Sequence, residues 1–469
     1  MTPCATVVAE ETITAFEDFH NDASPMWAFG SRTIARSGDT VFAVVPEVGA
    51  DARPYCNTRW VLYRRPDGGA WERVQASPSF DEREPCPLAL LPGGQLMLSV
   101  NPAREHTYTM DNGSWGFRCE PGLLQFTTAA LERPPTPIEL PWDQQYDFSA
   151  HTYRAFAADP VAGTMLLSTQ VPVNDDLQHA YLFFDAGGRV LRQGLLRFPM
   201  RGCYQQIAVR GNAVYMMAIS DEKEPNPAWR ACKREHTGQS WDYDFRQLFF
   251  TWTPDITTTE FSPPLTVFSR DDTAGHLLNL DLVLDADGDA HLLFRDRNIW
   301  HPFMRDRFFP GTRITVALKY ARVCNGRVID RQTLLEAEEA LAPETQKART
   351  VEEMPEGQLY ALWSQHGLRM RGPVPEYGTF HTTPDGRRFV IWYQSGPEAG
   401  NFIRQVQPEP GPPQRLPLGT PLTQFYAACP RNGCLPSHTV DLFGVPGNEL
   451  QVRYIQLRIP PVTAAVETV

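Results

Sequence analysis

Hydrophobic and polar positions along this chain alternate in short bursts. A turn with Gly, Asp or Asn is followed by four to six apolar or alternating residues. The pattern appears as SGDTVFAVV (37–45), PGGQLMLSV (92–100), VAGTMLLSTQ (161–170) and GNAVYMMAIS (211–220). It returns as DGDAHLLFRD (287–296), EGQLYALWSQ (356–365), DGRRFVIWYQ (385–394) and GNELQVRYIQ (447–456). Each instance reads as the second half of a β-hairpin, because the turn residue tolerates φ > 0 and the run suits a buried strand. Successive starts lie 55, 69, 50, 76, 69, 29 and 62 residues apart. Six of these gaps fit one four-stranded sheet each, and the gap of 29 fits two hairpins close together.

Radial repetition of small sheets solves the exposed-edge problem and predicts an all-β fold, a seven-bladed β-propeller. Seven blades in 469 residues leave about 67 residues each, room for long loops on one face. Two stretches break the rhythm. The polar, aromatic-studded insertion at 221–247 predicts a short helix near 226–236, and TLLEAEEALAPETQKAR (333–349) has the spacing of a surface helix. No Pro/Ser/Gly linker divides the chain, so a single domain over 1–469 is expected, with 1–25 as an irregular N-terminal segment.

Composition narrows the function. The net charge of −12 disfavours a nucleic-acid coat. An anionic ligand in a cleft with its own arginines remains compatible, since the local field decides. The apolar runs fall far short of the about 20 residues that span a membrane, and none is expected to do so. The N-terminus MTPCATVVAEETITAFEDF lacks a basic start and an apolar core, so as written it is not a secretory signal and reads as cytoplasmic. Nine cysteines form no regular framework and are expected to be mostly free thiols in a reducing compartment.

Gly-rich phosphate loops, HExxH, GxSxG and the sialidase Asp-box are absent. CPRNGCLPSH (429–438) carries ligand types without completing a zinc site, and a surface loop with free thiols is expected there. Ionisable and aromatic residues crowd instead just outside strands, in PYCNTRW (54–60), SAHTYRAF (149–156), FPMRGCYQQIAV (198–209), EPNPAWRACK (224–233), WDYDFRQLF (241–249), TAGHLLNLD (273–281) and RDRNIWHPFMRDRFFPG (295–311). A funnel lined by several inner loops would need that density.

In SAHTYRAFAAD, RFPMRGCYQQIAV, the block EPNPAWRACKREHTGQSWDYDFRQLFFTWTPDI, TAGHLLNLDL and CNTRW, the chain resembles the BNR-repeat-like polysaccharide lyases, seven-bladed propellers that include ulvan and rhamnosyl-glucuronate lyases. The resemblance covers about 55–310, roughly half the chain. It implies β-elimination at a 4-linked uronate, leaving an unsaturated sugar. Such chemistry needs a neutraliser for the C6 carboxylate, a base near C5 and an acid for the departing oxygen. Carried over residue by residue, it makes His151 the base, Tyr204 the acid, and Arg201 and Arg230 the carboxylate neutralisers. Gln205 follows Tyr204 where the family pattern has proline. His276 and Asn279 become sugar contacts, Asn57 and Arg59 a further wall, and Arg246, His301 and Arg305 outer-subsite residues. The implied partner is an anionic uronate-containing oligo- or polysaccharide as substrate, and the chain is expected to be a monomer. No cofactor is required, and a structural divalent cation such as Ca²⁺ is compatible with the ring although no Asp-rich calcium loop is evident. Enzymes of this kind usually meet polymers outside the cytoplasm, in tension with the N-terminus as written.

Two rival functions share the architecture. A propeller hydrolase would need paired carboxylates, for which Asp242, Asp244 and Asp281 are candidates that no spacing selects. A carbohydrate-binding propeller without catalysis would need none.

Overall fold

A computed structural model describes residues 4–28, 30–49, 55–104, 117–173, 176–238, 243–340, 370–396, 398–447 and 449–462. Among the described residues, seven antiparallel sheets are arranged radially as a seven-bladed β-propeller. Blade 1 comprises Ile34–Ser37, Thr40–Val48, Thr58–Arg65 and Glu72–Ala76; blade 2 comprises Leu88–Leu91, Gln95–Val100, Gly122–Thr127 and Thr136–Ile138. Blade 3 is Ala155–Ala158, Met165–Val173, Asp176–Phe184 and Val190–Leu196. Blade 4 is Gly202–Arg210, Ala213–Ser220, Gln247–Thr253 and Leu265–Ser269. Blade 5 is His276–Leu284, Ala290–Arg297, Thr315–Cys324 and Arg327–Glu339, with Met370–Arg371 as a fifth strand. Blade 6 is Val374–Thr382, Arg388–Ser395, Gly400–Gln407 and Gln414–Arg415.

Blade 7 joins the two ends of the chain. Its inner strands are Gln424–Ala427, Thr439–Val445 and Gln451–Arg458, and the N-terminal strand Thr6–Ala15 pairs with the last of these as the outermost strand. Residues 6–15 therefore correct the expectation of an irregular segment over 1–25; the irregular part is 16–28. The first strand of every blade touches that of the next, and blade 7 returns to blade 1, so the ring is closed. The closed ring packs each blade between two others and leaves only short outer-strand edges.

The turn-plus-apolar signature marks the second strand of blades 1 to 6, and EGQLYALWSQ (356–365) lies outside the described residues. In blade 7 it marks the third strand, because the N-terminal strand occupies the place a fourth would have taken. The helix expected at 333–349 is corrected over 333–339, where the chain is strand and pairs with Thr315–Cys324; the rest lies outside the described residues. Its Leu, Glu and Ala favour helix, but Ala337 and Glu339 alternate onto a buried face and tertiary pairing prevails. The insertion helix is found as α1, Pro227–Thr237, with Asn226 accepting from the amides of Ala228 and Trp229 and Gly238 closing it at φ 66°.

Strand direction decides where the chemistry can sit. Tight turns join first and second strands at one end of the ring. Inner strands begin at the other end, where second strands also lead into their longest excursions: α1 in blade 4, and α2 (Pro302–Phe308) in blade 5. No helix among the described residues is long and apolar enough to cross a membrane.

A buried polar knot ties the blades at the axis. Asp281 of blade 5 receives Arg32 Nη2 at 2.5 Å, Arg431 Nε and Nη2 at 3.2 Å, the Thr379 hydroxyl at 2.6 Å and the Phe380 amide at 2.8 Å. Burial raises the pKa of Asp281, but Arg32 and Arg431 outweigh it and hold the carboxyl below its ordinary range. Arg431 also donates to Gln206 of blade 4 and the Gly30 carbonyl. The CPRNGC segment is thus an axial plug: Arg431 and Asn432 accept from the amides of Ala158 and Leu90, and Cys429 and Cys434 are buried. This corrects the surface-loop expectation. Gly433 sits at φ 81°, and a Cβ there would stand 1.8 Å from the Leu90 carbonyl oxygen.

Gly433→Ala should lower unfolding stability by at least about 3 kcal/mol or prevent folding, since backbone must move. Gly38→Ala, at φ 57° with open space around it, should cost only about 1–2 kcal/mol. Urea midpoints of the two variants check the contrast, and equal losses would contradict the plug. A second outcome concerns pH. Burial pushes Glu82 up to about 7, so between its ordinary range and pH 7 the folded chain holds a proton that the unfolded chain has released. Stability should therefore fall as pH rises through that window, by up to about 1.4 kcal/mol per pH unit. Glu82→Gln should flatten the slope.

Candidate functional site

Three blades deliver side chains to the mouth where inner strands begin. His151 and Tyr153 precede the first strand of blade 3, Arg201 and Tyr204 open blade 4, and His276 opens blade 5. The backbone is bent to present them. Tyr153 and Tyr204 have φ of 45° and 50°, Tyr55 has 72°, and Ala274, just before His276, has 50°. Left-handed backbone costs roughly 1–2 kcal/mol at a non-glycine residue, and such outliers gather at functional sites. Tyr204 also lies in a register shift between Cys203 and Gln206, a bulge that re-aims its ring.

Tyr153 is the hub. Its ring meets His151 edge-on at 4.5 Å on one side and Tyr204 at 4.7 Å on the other. Trp27, from the segment linking blade 7 to blade 1, covers both, with centroids 6.2 Å from His151 and 6.1 Å from Tyr204. A cavity of about 10 Å³, near the size of one water, is lined by Trp27, Tyr153, Tyr204, Glu84 and Arg154. The Tyr153 hydroxyl donates to Asp221, which pairs with Arg201 Nε at 2.9 Å. Burial, then the neighbouring Tyr204, push Tyr153 well above the ordinary phenol range. His151, Tyr204 and Arg201 therefore face one mouth. Arg230 stands in the first turn of α1 on the same face, half-buried.

The imidazole of His151 has a defined proton. Arg83 Nη1 lies 2.7 Å from His151 Nδ1 and 3.2 Å from Glu84 Oε1. A guanidinium only donates, so Nδ1 accepts and the ring proton sits on Nε2. Burial, then Arg83 and Arg201, hold the pKa of His151 well below 6.5 and keep it neutral. At Nε2 the resting ring thus presents a donor, whereas a base needs a lone pair there. Glu84 also accepts from the amide and hydroxyl of Thr152, fixing the residue after His151.

Aromatic rings continue toward blade 5. Tyr204 meets Phe245 at 5.8 Å, Phe245 meets His276 at 5.4 Å, and His276 stacks on Trp300 at 3.9 Å. His301, stacked on Phe303 at 4.7 Å, and His236, stacked on the other side of Phe303's reach at 4.4 Å, extend the row. Burial, then nearby arginines or lysine, hold His276 and His301 neutral.

Other residues singled out in the sequence are engaged in building the scaffold. Asn279 is 1% exposed and donates to the Tyr204 carbonyl, so it positions Tyr204 from below. Asn57 donates to the Phe19 carbonyl at 2.6 Å and accepts from Asn21 at 2.8 Å, anchoring the N-terminal segment. Arg59 pairs with Glu47 at 2.6 Å beside Phe80, in a groove of about 690 Å³ between blades 7 and 1. Arg246 is locked with Glu224, Lys233 and Asp244 in a buried, charge-balanced quartet against Trp229. Arg305 pairs with Glu339 and Asp306. These correct the wall and outer-subsite expectations for Asn57, Arg246 and Arg305, whose polar atoms hold protein partners. Of the hydrolase candidates, Asp281 and Asp244 are held in internal ion pairs, and Asp242 lies outside the described residues. Sequence reasoning missed Trp27, Arg83, Tyr153 and Asp221. Tyr153 stood inside SAHTYRAF, but DEREP (81–85) lies outside the segments singled out above and gave no signal for Arg83. Among the described residues no group of three His, Cys, Asp or Glu could hold a metal ion.

No protein-family model matches the sequence, and a search of curated proteins finds no match. Solved structures are similar in fold. One is an ulvan lyase of polysaccharide lyase family PL25 bound to -[GlcA(1-4)Rha3S]-, at 10% identity and TM-score 0.52, covering 95% of each chain. Another is the polysaccharide lyase Uly1, at 12% identity and TM-score 0.51, covering 97% of this chain and 99% of that one. The lectin BP39L from Burkholderia pseudomallei aligns at 12% identity with a TM-score of 0.48, over 92% of this chain and 96% of its own. At such identities the likeness is one of fold: the chain is similar to propellers that include polysaccharide lyases.

Proposed function

We propose that this protein is a carbohydrate-active lyase that breaks a uronate-containing glycan of the rhamnose–glucuronate type by β-elimination at the His151/Tyr153/Tyr204 mouth. The observation that carries the reading is the convergence of an imidazole, two phenols and the Arg201–Asp221 pair on strained backbone at one mouth. A binding platform alone would not need a tautomer-locked histidine. The fold shared with solved polysaccharide lyases supports the class without specifying the substrate.

The proton geometry supports the following roles. His151 Nε2–H donates to the uronate carboxylate, and Arg201, which reaches His151 electrostatically, adds positive charge on the same side. Together they stabilise the charge that develops when the C5 proton leaves. Tyr204, fixed in backbone by Asn279, takes the C5 proton on its phenolate oxygen and gives it to the departing O4, which restores the phenolate. Tyr153, held by Asp221, orients the two rings between which it stands. Arg230 on α1 supplies the outer cation.

Incubation with ulvan, gum arabic side chains or glucuronans should raise the absorbance of a conjugated unsaturated uronate. A flat trace on all of them with folded protein would overturn the reading, and new reducing ends without unsaturation would make the enzyme a hydrolase. On an active substrate, Tyr204→Phe and His151→Ala should each lower kcat about 10²–10⁴-fold. Protonating His151 would put an N–H on Nδ1 against the Arg83 guanidinium and turn the ring out of its donor pose. Burial with Arg83 and Arg201 holds that event well below 6.5, so the acid limb of kcat/KM should lie below that value. Arg83→Met removes a cation and should move the limb upward toward 6.5. An unmoved limb would show that His151 does not titrate with activity.

A further inference from the structure

Two buried thiols outside the proposed mouth sit against each other. Cys56, just before the third strand of blade 1, is 0% exposed, and Cys119, just before the third strand of blade 2, is 4% exposed. They share one apolar cluster with Phe117 and Ala150, bordered by Tyr55 and Ala103. The Cys56 side chain pushes the Cys119 thiol up more strongly than burial does, and Cys119 Sγ lies 3.4 Å from the Phe117 carbonyl oxygen. They come from different blades, 63 residues apart (119 − 56).

Both loops support the mouth. The amide of Cys119 donates to the Phe148 carbonyl at 2.8 Å, and the Ala150 amide donates to the Phe117 carbonyl at 3.0 Å. The backbone ladder carrying Cys119 therefore ends one residue before His151. On the other side, Tyr55 precedes Cys56 and lies under the Arg83 guanidinium at 4.5 Å, the group that sets the His151 tautomer. A covalent bond between the sulfurs would fix both neighbours of that histidine at once.

We propose that Cys56 and Cys119 form a disulfide when the chain folds in an oxidising compartment, stapling blade 1 to blade 2 beneath His151. The two thiols lose their protons and one electron pair as the S–S bond forms; glutathione disulfide takes the electrons and protons and leaves as two glutathione thiols. Because the pair is sealed from solvent once folded, formation belongs to folding. A staple across a 63-residue separation restricts the unfolded chain far more than a local bridge would. The bond is independent of the lyase reading and stands or falls on thiol chemistry.

The full chain produced in a bacterial periplasm, folded by circular dichroism, would be alkylated in denaturant without reductant. Of nine cysteines, seven should label, nine less the linked two, and all nine after reduction. Mass spectrometry should find the peptides of Cys56 and Cys119 joined. The C429S/C434S variant, which removes the other close pair, should keep the same joined peptides. Nine labelled thiols without reductant would overturn the proposal, as would a disulfide that leaves Cys56 and Cys119 free.

Discussion

Asp281 is the constraint on which the ring depends. One carboxylate, buried to within 1% of full enclosure, collects a guanidinium from the approach to blade 1, another from the blade 7 plug, and a hydroxyl and amide from blade 6. A buried charge of this kind is costly unless its partners converge, and removing one partner leaves the others stranded. The inner strands are thereby brought to a common depth. Only from that depth do the entries of blades 3, 4 and 5 place His151, Tyr204 and His276 along one continuous row of rings.

Under the proposed function, the same row is what would let an acidic protein offer a site to an anion. The cations near the mouth are individually matched: Arg83 by Glu84, Arg201 by Asp221, and Lys233 with Arg246 by Glu224 and Asp244. Under the proposed lyase function, selectivity for a carboxylate would rest on directed donors, above all a histidine whose proton is assigned by Arg83, more than on a broad positive field. Neutrality of His151 is an advantage for that role, because a donor with a depressed pKa keeps its proton arrangement across the physiological range.

Much of this architecture was legible in the sequence, because strand repetition is written in local turns. Six second strands followed the Gly/Asp/Asn turn, and the insertion helix followed Asn226–Pro227 and Gly238. What local pattern could not show was pairing at a distance. The strand Thr6–Ala15 looked irregular because its partner is more than four hundred residues away, and Arg327–Glu339 has helical composition but a sheet neighbour. In the site, crowded polar segments beside strands stood out, and the resemblance to the lyase family picked His151, Tyr204 and Arg201 from them. Asn57, Arg246 and Arg305 stood out for the same reason, yet their charges and amides are consumed by partners that sequence does not reveal. Arg83 and Trp27 were hidden for the converse reason: they gain meaning only from what the ring places opposite them.

The most direct test is a crystal structure of Tyr204→Phe soaked with a uronate-containing tetrasaccharide. The account predicts a uronate carboxylate within hydrogen-bond distance of His151 Nε2, with C5 facing the ring at position 204. Sugar seated instead in the groove beside Arg59, or at the mouth with its carboxylate turned away from His151, would contradict it.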